Sequence, residues 1–177
     1  LTGEHVAPGD VLIGIPSPGL RSNGYSLARR VLLDRAGRAL DAPAYDGAHH
    51  TLADELLEPS RIYAPAVMAV QRVVDVRAAA HITGGGLPGN LVRVLPKNCD
   101  AVVERRSWES PRIFGEIQRL GDVSDDEMAR VFNLGVGMVL VVPEDESFRA
   151  LDVLRSHGHA ATVIGAIQRG DQQVVLQ

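Results

Sequence analysis

His81-Ile82-Thr83-Gly84-Gly85-Gly86-Leu87-Pro88-Gly89-Asn90 is the stretch on which the reading of this chain turns. On its amino side, Ala78 to Ile82 is a short apolar run that predicts a strand; on its carboxy side, Leu91, Val92 and Leu95 recur at helical spacing. Between them, three glycines permit backbone angles that side chains forbid and let another group approach closely. A helix amino end behind such a turn gathers unpaired N–H groups, and a run of glycine amides can fold inward as an anion-binding nest. The same glycines also serve as a plain tight connection, and the spacing is neither GxGxxG nor GxxxxGKS/T. His81 can act as acid, base or phosphate ligand, because imidazole titrates near neutrality; a histidine at a strand end can equally be structural.

Outward from this loop, helices and strands alternate. Val11 to Ile15 is a β-branched run between Pro8-Gly9 and Pro16, and predicts a buried strand. Leu27, Val31 and Leu32 mark a helix over 25–35, with Ser22 or Asn23 as its expected cap and Gly37 as its stop. A surface connection leads to a short helix over 52–57, and a longer one begins near Pro65 and runs through Val74. Further strands are expected at 101–103, 137–142, 162–167 and 174–176, and helices at 113–120, 125–132 and 148–155. Ser124 and Glu127 have capping-box spacing before the second of these helices. The pattern predicts one α/β domain of three layers, α/β/α, with a small mixed sheet between helices.

The 177 residues suffice for one substantial core, and an aromatic share of 4% means that aliphatic side chains must build it. The net charge of -4, without clustered Lys and Arg among aromatics, points away from nucleic acid. The single cysteine, Cys99, read as lying in a loop, excludes an internal disulfide and fits the cytosol. No apolar run approaches the ~20 residues of a membrane span. The chain opens on Leu1 rather than Met, and reads as a fragment of a longer one.

A second loop, Ser17-Pro18-Gly19-Leu20-Arg21-Ser22-Asn23-Gly24, joins a strand end to a helix start. Arg21, Ser22 and Asn23 there can give side-chain donors to an anion, or simply cap the helix. Phe132-Asn133-Leu134-Gly135-Val136-Gly137-Met138 reads as structural: Gly135 and Gly137 let the chain reverse and pack closely, and Asn133 caps the preceding helix. His49-His50 and His157-Gly158-His159 lack a third ligand at metal spacing. Trp108 and Pro111 read as a packing corner, and Glu55, Glu58 and Arg61 as solvated charges.

Four segments, Ser22-Asn23-Gly24-Tyr25-Ser26-Leu27, Leu57-Glu58-Pro59-Ser60-Arg61-Ile62-Tyr63, His81-Ile82-Thr83-Gly84-Gly85-Gly86 and Phe132-Asn133-Leu134-Gly135-Val136-Gly137-Met138, carry a resemblance. In this order and spacing they resemble the carboxy-terminal half of the phosphoribosylformylglycinamidine cyclo-ligase family, the aminoimidazole ribonucleotide synthetases, essentially from end to end. Selenophosphate synthetase, thiamine-monophosphate kinase and a hydrogenase maturation factor are similar in architecture and share the motifs less completely.

The resemblance implies a preceding domain, absent here, that supplies the acidic ligands for ATP and Mg2+ and the homodimer interface. It implies formylglycinamidine ribonucleotide bound in the cleft between the halves, and no cofactor held by this chain alone. The expected site residues are His81 as the catalytic group, with Arg21, Ser22, Asn23, Gly24, Thr83, Gly84, Gly85, Gly86 and Asn90 binding substrate or phosphate. Whether the glycine loop holds the substrate's phosphate or that of ATP stays open. The sequence departs from the family's usual residues at Pro18 (serine), Arg21 (histidine), Ala80 and Val131 (threonine). A fixed cation at Arg21 can still bind phosphate. A stand-alone anion-binding or assembly module is the contrasting expectation.

Overall fold

The computed structural model describes residues 3–177; Leu1 and Thr2, the start read as that of a fragment, lie outside the described residues. Six strands form one mixed sheet: β1 (Val11–Pro16), β2 (Ala78–His81), β3 (Cys99–Val103), β4 (Val136–Val142), β5 (Thr162–Arg169) and β6 (Val174–Leu176), in the order β2-β4-β1-β5-β3-β6. All neighbours are antiparallel except the short edge pair β3 and β6. The helices are α1 (Tyr25–Arg29), α2 (Leu52–Leu56), α3 (Ala64–Gln71), α4 (Gly86–Leu91), α5 (Arg112–Gly121), α6 (Asp125–Val131) and α7 (Ser147–Ser156). None is long and apolar enough to cross a membrane.

Alternation along the strands sorts the core onto two faces. Leu12, Ala80, Val139, Val141 and Ile164 pack with Leu87 and Leu91 of α4, while Ile13, Ile15, Leu140 and Val142 pack with Ala66 and Val70 of α3 and with Leu154 of α7. The central strands β1 and β4 are therefore apolar on both faces, which is why they read as continuous Val/Leu/Ile runs. A third cluster beyond α4 joins Leu32, just past α1, with Leu52 of α2, Ile113 and Phe114 of α5, Met128 of α6 and Phe132 at its end. The expected α/β/α layering results. Ala80 is 4% exposed within the first of these cores, where an added hydroxyl would need a partner.

Several local expectations change. Neither Ser22 nor Asn23 caps α1: Gly24 holds the cap position in the left-handed region (φ 77), with no side-chain cap. After Arg29 the helix widens into a π turn over Arg30–Arg35, in which the Ala36 amide reaches back to the carbonyl of Val31 at 3.0 Å. α4 begins at Gly86, because the glycine loop itself forms its first turn. Ser124 accepts from the Glu127 amide at 3.3 Å, but the Glu127 carboxylate grips Arg130 instead of reaching back. The complete capping box is Thr51 with Asp54, where each side chain meets the other's backbone amide at 3.0 and 3.1 Å. Cys99 opens β3 fully buried rather than sitting in a loop. Trp108 does make the expected corner: its indole N–H donates to Leu134 O at 2.8 Å, and the Arg105 guanidinium lies 4.7 Å over its ring.

Candidate functional site

The antiparallel pairing of β4 with both β1 and β2 puts the carboxy ends of β1 and β2 beside the start of β4. The loops that leave those ends carry the first and third motif segments, so the two face one another although Arg21 and His81 are 60 residues apart in sequence. A Cβ added to Gly84 would lie 3.5 Å from Asn23 Oδ1. Arg21 Nη1 meets His81 Nε2 at 3.1 Å.

The other two segments close on the same place. Tyr63, at the amino end of α3, donates its phenol to Pro16 O at 2.9 Å, and its ring centroid lies 6.2 Å from that of His81. Gly137 in β4 accepts from Arg21 Nη1 at 3.5 Å. A Cβ on Gly137 would overlap the Tyr63 hydroxyl and stand 3.1 Å from Arg21 Nη1, so this glycine serves the expected close packing, making room for two site side chains. Gly135 does turn the chain (φ 96). Asn133 is buried, donating to Gly19 O at 2.9 Å and accepting from the Gly135 amide at 2.8 Å. It therefore ties the β1 loop to the β4 entry instead of capping α6.

Within the glycine loop the three glycines have different tasks. Gly85 (φ 98) and Gly86 (φ 60) lie in the left-handed region, and Gly84 does not. Gly86 donates its amide to Thr83 O at 3.1 Å and is pressed so closely on α6 that a Cβ would meet Ala129 O and Phe132 O. Its amide is thus occupied. Among the described residues, the amides of Thr83, Gly84 and Gly85 make no hydrogen bond, and Gly84 is exposed. Gly24 is likewise a packing glycine, with the Phe132 ring where its Cβ would be.

Asn90 does not line the cleft as expected. It is 5% exposed and lies beneath the loop, its amide donating to Thr83 O (3.4 Å), Gly84 O (3.3 Å) and Gly86 O (2.7 Å) while its oxygen accepts from the Thr83 hydroxyl at 3.2 Å. By drawing the loop carbonyls inward, Asn90 leaves the amides of Gly84 and Gly85 without internal partners. Arg21 also departs from its expected role. Its guanidinium is turned inward to His81, Gly137 O and Ile82 O, and its Nε is buried without a partner. Ser22 is exposed and Asn23 half-buried at the rim.

His81 is exposed at the end of β2, yet partial desolvation of its imidazole, and then the Arg21 charge, push it below its ordinary pKa. Burial raises the Tyr63 phenol, with Arg21 opposing. On the far side of Tyr63, 5.7 Å away between centroids, His159 is buried with Nδ1 unpartnered, its pKa lowered by burial and then by Arg61 and His157. Sequence reasoning did not single out Tyr63, Arg61 or His159 as site residues. Tyr63 and Arg61 lay inside a motif segment, Arg61 read as a solvated charge, and no spacing rule links them to His81. Among the described residues no three His, Cys, Asp or Glu side chains converge as a metal site. A cavity of about 460 Å3 between α5, α6 and β6 is lined by Arg105, Gln118 and Asp125 and is separate from this cleft.

Fold and cleft together define a mixed α/β domain in which four distant loop segments meet at the ends of β1, β2 and β4. Residues 7–177 match the family described as AIR synthase related protein, C-terminal domain, and the chain belongs to that family. It is 49% identical over 170 residues to the phosphoribosylformylglycinamidine cyclo-ligase of Myxococcus xanthus, and 52% identical over 168 residues to that of Anaeromyxobacter dehalogenans. These alignments take in 96% and 95% of this chain but only 49% and 48% of the relatives, so the chain spans about half their length. Among solved structures, thiamine-monophosphate kinase from Stenotrophomonas maltophilia superposes with a TM-score of 0.65 at 18% identity, covering 100% of this chain and 52% of that one. Hydrogenase maturation protein HypE in complex with ATP gives 0.60 at 21% identity, covering 98% and 49%. At these identities the likeness is one of fold.

Proposed function

We propose that this chain is the carboxy-terminal, substrate-side half of an ATP-dependent cyclo-ligase that converts formylglycinamidine ribonucleotide to aminoimidazole ribonucleotide, ADP and phosphate. The observation that carries the reading is identity near one half, sustained over practically the whole chain, to relatives bearing the cyclo-ligase name. The convergence of all four motif segments on one cleft supports it.

In this reading the formyl amide oxygen attacks the γ-phosphorus of ATP and ADP leaves. The amidine nitrogen then attacks the activated carbon, phosphate departs, and the nitrogen loses a proton as the ring closes. The protein's task is to hold the folded substrate and to neutralise phosphoryl charge. The amides of Gly84 and Gly85, backed by Thr83, donate to phosphate oxygens, while Ser22 and Asn23 supply donors from the opposite rim and His81 stands between them. Asn90 and Gly86 hold the loop in shape rather than touching ligand. Magnesium, most ATP contacts and the homodimer interface are assigned in this reading to a preceding domain. A cytosolic setting goes with this biosynthetic role.

The test is an assay of the full reading frame with ATP, magnesium and formylglycinamidine ribonucleotide, following aminoimidazole ribonucleotide. Gly84→Val, which leaves the loop's internal contacts in place, is expected to raise the KM of the phosphate-bearing ligand. A folded full-length protein that hydrolyses ATP with other substrates and never closes this ring would move the chain to a thiamine-monophosphate kinase or HypE-like activity.

A further inference from the structure

Arg21 stands where a titratable residue would leave the neighbouring imidazole free to choose its proton. Its backbone is left-handed (φ 59) and its side chain is 8% exposed, anchored on the carbonyl of Ile82 and, at 3.5 Å, on that of Gly137. The remaining direction of Nη1 is filled by His81 Nε2 at 3.1 Å. A guanidinium has five N–H donors and no acceptor, so the ring nitrogen it meets must present a lone pair. An imidazole that is unprotonated at Nε2 carries its single proton on Nδ1.

We propose that Arg21 is a positioning residue that fixes His81 as the neutral Nδ1–H tautomer, so that the ring offers the cleft a hydrogen-bond donor without a positive charge. The proposal rests on the reading of His81 as a functional group of this cleft. It gives that group a definite role: Nδ1–H donates to an oxygen of the substrate or of the transferring phosphoryl group, and keeps its proton.

The surroundings of His81 support the assignment. From the β1 loop it faces Arg21, from the start of α3 it faces Tyr63, and its register partner on β4 is the uncharged Met138. The Asn23 amide lies across the cleft beside Gly84, and His159, itself held toward neutrality, is shielded behind Tyr63. None of these is an anion that would draw a second proton onto the ring. Partial desolvation of the exposed ring and the Arg21 charge act in the same direction. The arrangement is kept open by Gly137, since any larger residue would push Tyr63 and the guanidinium off their positions.

The experiment is 15N NMR of histidine-labelled full-length protein, with the His81 signals identified by their loss in His81→Gln and followed through a pH titration. The expected spectrum at neutral pH has Nδ1 in the pyrrole-type range and Nε2 in the pyridine-type range, with the midpoint below that of an ordinary histidine. In Arg21→Ala both tautomers should appear and the midpoint should move up. A wild-type spectrum with Nε2 protonated, or with an imidazolium at neutral pH, overturns the proposal without any variant. So does a folded Arg21→Ala whose His81 signals are unchanged. Kinetics separate this from the parent reading: unaltered kcat and KM in His81→Gln would remove the functional role of His81 and leave the tautomer assignment standing.

Discussion

Alanine placed in turn at Gly84, Gly85 and Gly86 should produce three different outcomes from three adjacent identical residues. At Gly84 the backbone is outside the left-handed region and the new methyl would meet only Asn23 Oδ1, at an ordinary 3.5 Å, so stability should change by no more than about 0.5 kcal/mol. At Gly85 the methyl finds space, its nearest neighbour being Gly89 Cα at 3.5 Å, but φ is 98; the left-handed penalty of about 1–2 kcal/mol stands alone. At Gly86 the same penalty is joined by collision with the carbonyl oxygens of Ala129 and Phe132, which are backbone atoms of the α6 segment and cannot swing aside. Overpacking of this kind typically costs about 1–3 kcal/mol, which brings the total to roughly 2–5 kcal/mol. For a domain of this size, each kcal/mol lowers Tm by about 2–4 °C. Urea and thermal unfolding of the three variants supply the test. Equal losses at all three sites, or the greatest loss at Gly84, would refute the assignment of Gly86 to packing and of Gly84 to the open cleft.

Asn90→Ala strips partners from the carbonyls of Thr83, Gly84 and Gly86 and should cost about 2–4 kcal/mol, with faster amide exchange across the loop. Asn90→Asp should not rescue it, since a carboxylate cannot donate to those oxygens. His159 is held below its ordinary pKa, so its neutral form is favoured on folding; stability should fall as pH drops through the ordinary histidine range toward the lowered folded value, and unfolding of His159→Gln should show a shallower acid dependence. Asp54 is shifted down by its bonds to Thr51. The box therefore stabilises above the unfolded carboxyl pKa and is lost as pH falls through the lowered one, and Asp54→Asn should remove that dependence in acid unfolding curves.

The sequence by itself determined the order and kind of the elements. Periodicity at Val11 to Ile15, at Leu27, Val31 and Leu32, and at Ile113 to Leu120 arises from local burial, which is written in neighbouring residues. The motif segments also determined the family. Ends and caps were less legible: a box closed by Asp54 rather than by Glu or Gln escapes the usual pattern, and Gly24 took the α1 cap because Phe132, more than a hundred positions away, excludes a side chain there. Only the tertiary structure decided what each site residue does. Antiparallel pairing of β4 with β1 and β2 sets Arg21 against His81, turns Asn90 under the loop and divides the labour among three glycines that are alike in sequence. Those roles depend on which donors and carbonyls meet across the fold, and spacing along one chain does not record such meetings.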